Sequence, residues 1–312
     1  MGESKLKKNK LSLIFFILSA LMFIVILVFI TQALSYKPGK YTFKLVGYAG
    51  SFNRKAVKAD KWPIEPYWMM HILGIFGMCI LSFVRRKKEG IKGWQAIMTG
   101  ILLAVFGYIG AKILFVIENY KYVSKNGLEL SGVSFFGTVF FMPLAIPIIK
   151  RILFIKAKDM EYMDYCTPDG LLMLACIRLG CFMNGCCRGM VVWKNDKPLM
   201  YPVQFIECTL DLILLGVILL PVTQKFFKKG LYFIFMGGYG FIRFFLEFYR
   251  NTSKTGNLFI SENDRQLQSD GELSKILSNG QIFALVCMVV CCCYISFFMY
   301  RRRKEKTGGN ER

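Results

Sequence analysis

The chain has 312 residues, 54% of them hydrophobic, and a mean hydropathy of +0.43. That is too apolar for an ordinary soluble domain and suits several bilayer-spanning segments, each needing roughly 20 apolar residues. The formal charge of +21 does not point to nucleic acid, because the basic residues stand in short clusters between apolar runs, the topological pattern of a membrane protein. Eleven cysteines with a single His make no zinc framework. Most of them lie within apolar stretches, where Cys behaves as a small hydrophobe.

In chain order, a lysine-rich start precedes the uninterrupted apolar run 11–34, which reads as a retained membrane anchor over 1–34. Residues 35–66 form a polar extracytoplasmic loop. Apolar periods then predict spans over Tyr67–Val84, Ile97–Ile117, Val133–Ile149, Tyr165–Cys187, Pro202–Val222, Leu231–Tyr249 and Gln281–Tyr300, within a membrane domain of 67–300. Residues 301–312 are a basic tail. The expected fold is an all-α polytopic membrane protein of about eight transmembrane helices. More than half of the Lys and Arg residues fall on one set of alternate connections, so the positive-inside rule predicts that both termini are cytoplasmic.

The stretch Ala175–Gly189 places Arg178 at membrane depth, followed by a turn rich in Gly and Asn. A charge in hydrocarbon costs about 3 kcal/mol or more and is kept where it has a partner or a task. A guanidinium beside such a turn suits an anionic lipid headgroup, because Arg grips phosphate bidentately. Pairing with a carboxylate purely for packing is the other reading. The further intramembrane ionisable residues are His71, Lys112, Glu207, Asp211, Arg243 and Glu247. Arg243 and Glu247 stand at i, i+4 on one helix face, and Glu207 and Asp211 repeat that spacing. A polar cavity shared by the fifth, sixth and seventh helices follows, with a structural ion-pair network as the alternative. His71 reads as a packed or interfacial side chain. Cys181, Cys186 and Cys187 either form a disulfide or simply pack.

Six motifs in order resemble the bacterial prolipoprotein diacylglyceryl transferase family from about Ile64 to Phe298. Pro66-Tyr67 with Ile72-Leu73-Gly74 resembles the family's entry to its first shared helix, and Gly110-Ala111-Lys112 its Gly-Ala-Arg element. Ser131-Gly132-Val133-Ser134-Phe135-Phe136-Gly137 is similar to Gly-Gly-Met-Ser-Phe-His-Gly. Arg178-Leu-Gly-Cys-Phe-Met-Asn-Gly-Cys-Cys-Arg-Gly189 resembles the signature Arg-Ile-Gly-Asn-Phe-Ile-Asn-Gly-Glu-x-x-Gly. Tyr201-Pro202-Val203-Gln204 leading to Glu207 resembles His-Pro-Ser-Gln-Leu-Tyr-Glu. Gly238-Tyr239-Gly240-Phe-Ile-Arg243-Phe-Phe-Leu-Glu247-Phe-Tyr-Arg250 resembles the last signature, and Gly280-Gln281 opens the final helix.

The resemblance implies seven family helices plus one extra at the N-terminus, in a bacterial plasma-membrane enzyme with its site toward the outer face. Such an enzyme moves the diacylglyceryl group of phosphatidylglycerol onto the lipobox cysteine of a prolipoprotein, releasing glycerol 1-phosphate, with no cofactor or metal. The implied roles are phosphatidylglycerol binding for Arg178, Asn184, Gly189 and Glu207, and catalysis for Tyr67, Arg243 and Glu247. In that scheme Arg178 and Arg243 hold the phosphate, Glu247 orients Arg243, and Glu207 supports them at one remove. Phe136 replaces the family's His, Cys181 an Asn and Cys186 a Glu. A relative with another acceptor, or a non-catalytic lipid-binding or transport protein, stays open beside the transferase.

Overall fold

The structure is a computed structural model that describes residues 66–120, 123–124, 133–184, 187, 189, 191–194, 197–200, 202–250 and 278–308. The expected anchor 1–34, the loop 35–65 and Cys186 lie outside the described residues. Among the described residues, five helices are long and apolar enough to cross a membrane. They are α1 (Pro66–Arg85), α2 (Gly93–Glu118), α3 (Phe135–Ile152), α4 (Asp159–Asn184) and α8 (Asn279–Gly308). Between the last two come the antiparallel hairpin β1 (Val191–Lys194) and β2 (Lys197–Met200), then α5 (Val203–Leu219), the short α6 (Pro221–Phe226) and α7 (Leu231–Glu247). At 17 residues, α5 and α7 are each about 25 Å long, at the short end of what spans a bilayer. The helical body agrees with the sequence reading, and the hairpin adds a small element to it.

Unlike a soluble bundle, the helices expose apolar side chains on the outside as well as burying them. Ile72, Phe76, Ile80 and Phe83 on α1, and Ile97, Ile101, Val105 and Ile109 on α2, are exposed at helical spacing, as lipid-facing stripes are. The interior is an apolar core, including Ile146, Ile149, Leu171, Leu174 and Ile218, with a smaller set of buried polar groups inside it. Helix α4 is the hub, packing on α1, α2, α3, α5 and α7, while α7 lies along α8 and α2 along α3. It begins at Asp159, six residues before the sequence reading started it. Its first turn carries Asp159 and Glu161, whose negative charge favours a helix N-terminus.

Helix α4 buries two carboxyls absent from the predicted set of intramembrane charges, Asp164 just before the predicted span and Asp169 within it. Asp164 accepts from the backbone N–H of Gly230 (2.9 Å) and Tyr232 (3.3 Å), so a side chain of α4 caps the start of α7. Asp169 accepts from the Ser82 hydroxyl (2.7 Å), and Tyr165 donates to the Ser82 carbonyl (2.6 Å). Arg85 Nη1 donates to the Tyr165 carbonyl (2.6 Å) and lies 4.0 Å from Asp169. Arg85 thereby fastens the end of α1 to α4. Replacing Asp164 with Ala leaves two buried N–H donors unserved. The expected loss is about 1–3 kcal/mol, read as a lower melting temperature in detergent.

Candidate functional site

Three helices bring their charged side chains to one point. Glu207 on α5, 1% exposed, stands between two guanidiniums. Arg243 Nη1 of α7 donates to its Oε2 at 2.9 Å, and Arg178 Nε of α4 faces its Oε1 at 2.9 Å. The Arg243 contact is an aligned hydrogen bond. The Arg178 contact is an ion pair without an aligned N–H, so Nε and Oε1 are both left without a hydrogen bond. Glu247 Oε2 lies 2.8 Å from Arg243 Nη2 one turn along α7, and 3.5 Å from Arg250 Nη1. Three guanidiniums thus meet two carboxylates.

The cause of this convergence is helical periodicity combined with helix crossing. Arg243 and Glu247 share a face because four residues make about one turn. Glu207 reaches both arginines because α5 packs against α4 and α7 together. The sequence reading gave Glu207 a supporting role behind Arg243, whereas it bridges Arg178 and Arg243 directly. Charges buried so deeply are stable only as a paired set, since losing one member strands the others in a low dielectric.

The surroundings hold the cluster in shape. Tyr239, one turn before Arg243, is fully buried against Phe135 and Phe136, with ring centroids 5.1 and 5.5 Å away. Phe136 also packs on Phe140 and Phe283, so the position of the family's imidazole is an aromatic wall. A backbone bridge joins Gly189 to Arg250, which brings the end of the Arg178 turn onto the end of α7. The N-terminus of α8 abuts Glu247, for a Cβ on Gly280 would lie 3.1 Å from the carboxyl carbon. Ser278 and Gln281 form a reciprocal capping box there (3.0 and 3.2 Å), and the positive end of that helix favours the carboxylate.

Of the sequence-predicted site residues, Arg178, Glu207, Arg243 and Glu247 form the cluster itself. Gly189 reaches it through Arg250, and Asn184 is the last residue of α4. Tyr67, in the first turn of α1, packs beside Gly180 of α4. The Tyr67 carbonyl is 3.3 Å from where a Cβ on Gly180 would sit, its ring packs on His71 at 4.3 Å, and the carbonyl pairs with His71 Nδ1 at 2.8 Å. The Lys112 amine lies 5.2 Å from the Phe115 ring on its own helix. Cys181 and Cys187 flank Arg178 within electrostatic reach. Sequence reasoning did not select Arg250 or Tyr239. Both carried a signal: they stand at i+3 from Glu247 and i−4 from Arg243, on the face already chosen.

Fold and site together define a multi-pass membrane protein whose central helices bury a cluster of arginines and carboxylates. The model of the prolipoprotein diacylglyceryl transferase family matches residues 54–297, and the chain belongs to that family. A protein of Clostridium tetani named phosphatidylglycerol–prolipoprotein diacylglyceryl transferase is 28% identical over 211 residues, which is 62% of this chain and 84% of the relative. One of Clostridium perfringens, bearing that name with the suffix 2, is 28% identical over 212 residues (60% and 79%). A relative of the same name in Francisella tularensis subsp. holarctica is 30% identical over 213 residues (60% and 77%).

Proposed function

We propose that this protein transfers the diacylglyceryl group of phosphatidylglycerol to the lipobox cysteine of a prolipoprotein at the outer face of the bacterial plasma membrane, with both its termini cytoplasmic. The observation that carries this reading is the pair of buried guanidiniums, Arg178 and Arg243, sharing one carboxylate. The acceptor sulfur attacks the glycerol carbon that bears the phosphate. The C–O bond breaks, its electron pair stays on the phosphate oxygen, and glycerol 1-phosphate leaves. Negative charge grows on that oxygen, and preorganised cations in a dry site stabilise it. The sulfur must be a thiolate to attack, and a positive site favours that form.

Phe136 provides no base, so in this reading the arginine field selects the thiolate. Tyr67 hydrogen-bonds the headgroup or the incoming sulfur. Gly189 and Asn184 let the turn after α4 approach the lipid. The test uses membranes carrying the protein, labelled phosphatidylglycerol and a lipobox peptide. Arg178→Ala and Arg243→Ala should each lower the transfer rate by about 10²–10³-fold, the usual loss on removing one charge-stabilising donor. Wild-type rates in both folded variants would refute the site. Rescue of a strain depleted of its own diacylglyceryl transferase would identify the reaction in cells.

A further inference from the structure

Asp211 lies one turn beyond Glu207 on α5, about 6 Å along the helix and on the same face. Its side chain is fully buried, and neither carboxyl oxygen has a hydrogen-bond partner. Among the described residues no cation lies within 4 Å of it, the arginines being engaged by Glu207 and Glu247. The Tyr239 hydroxyl, also buried and without a hydrogen bond, is in electrostatic reach of Asp211, Glu207, Arg178 and Arg243. Buried acceptors left without donors are costly, and each one calls for an explanation such as a bound molecule.

We propose that Asp211 is a specificity-determining residue, accepting hydrogen bonds from the hydroxyl groups of the headgroup on the phosphodiester that Arg178 and Arg243 hold. This rests on the lipid reading given above and adds the choice among lipids. An ionised carboxylate is an acceptor only, so in that form it is matched by a donor and not by the phosphate itself. A glycerol headgroup, joined to the phosphate through a short carbon chain, places hydroxyls about one helical turn from it. Hydroxyls bring donors to Asp211 without adding charge to the paired arginines and carboxylates. The Tyr239 hydroxyl supplies a further donor and acceptor for the same group.

The experiment uses the full purified chain, delipidated in detergent, with phosphatidylglycerol, phosphatidylmethanol and phosphatidylethanolamine as competing ligands in native mass spectrometry. Transfer to a lipobox peptide is measured in parallel. The wild type should prefer phosphatidylglycerol over phosphatidylmethanol by about 10- to 100-fold, the span of a hydrogen bond to a charged group. Asp211→Leu, which has no acceptor, should bring that ratio to within about threefold of one, and Asp211→Asn, which keeps one acceptor oxygen, should fall between it and the wild type. Asp211→Leu should also melt higher without lipid, because it removes an unserved buried carboxyl. An unchanged ratio in folded Asp211→Leu, an equal loss on both lipids, or a wild-type preference for phosphatidylethanolamine would overturn the proposal. If lipid preference is present and no transfer occurs, the transferase reading fails and this inference stands.

Discussion

Removing the Glu207 carboxylate should cost both folding and turnover. In Glu207→Leu, Arg178 and Arg243 lose their common partner while both stay buried. Stranding one charge of a buried set costs about 3–5 kcal/mol, so a melting temperature lower by on the order of 10 °C is expected. Transfer should fall below detection, because the two cations no longer stand in a fixed relation to one phosphate. A second substitution separates these effects. Glu207→Leu combined with Arg178→Leu removes a cation together with its partner and should recover much of the lost stability, since a buried ion pair replaced by apolar groups is often neutral. The double variant should still not transfer. Wild-type melting and turnover in the single variant would show that Glu207 does not bridge the arginines.

The sequence made part of this legible, and the limits are physical. Arg243 and Glu247 were readable as a pair because helical spacing alone sets their distance, which is 2.8 Å in the structure. The double contact of Glu207 was not readable, because it depends on how α5 crosses two other helices. Arg178 stood out because a charge in an apolar run is costly. Asp164 and Asp169 did not, because the start of α4 mixes Asp, Tyr and Thr with apolar residues, and their partners are 66 and 87 residues away. The hairpin had a faint signal in Val191-Val192-Trp193 followed by Asn195-Asp196, a two-residue turn between β-formers. It was masked by its place between two long apolar runs. Phe136 was marked as a missing imidazole, and only packing reveals it as a wall against Tyr239.

The crossing of α2 and α3 sets that wall, and it should not tolerate a side chain at Gly137. A Cβ there would lie 2.2 Å from the Gly110 carbonyl oxygen and 2.7 Å from Leu114 Cβ. The obstacle is backbone, so no rotamer change relieves it. Separating the helices breaks two further contacts of the seam, Ser134 N–H to the Ala111 carbonyl (3.0 Å) and the Thr138 hydroxyl to the Gly107 carbonyl (2.8 Å). Helix association in a bilayer rests on such close packing, because lipid tails remove the hydrophobic drive. Gly137→Val should therefore cost about 3 kcal/mol or more and shift Phe136 away from Tyr239, reducing both the yield of folded protein and any transfer by what remains. Gly170→Ala is the matched control. Nothing lies within 4 Å of a Cβ at that position in α4, so its melting temperature should stay level or rise, as Ala favours helix over Gly by about 1 kcal/mol. If Gly137→Val melts with the wild type while Gly170→Ala does not, α2 and α3 do not cross where their glycines meet.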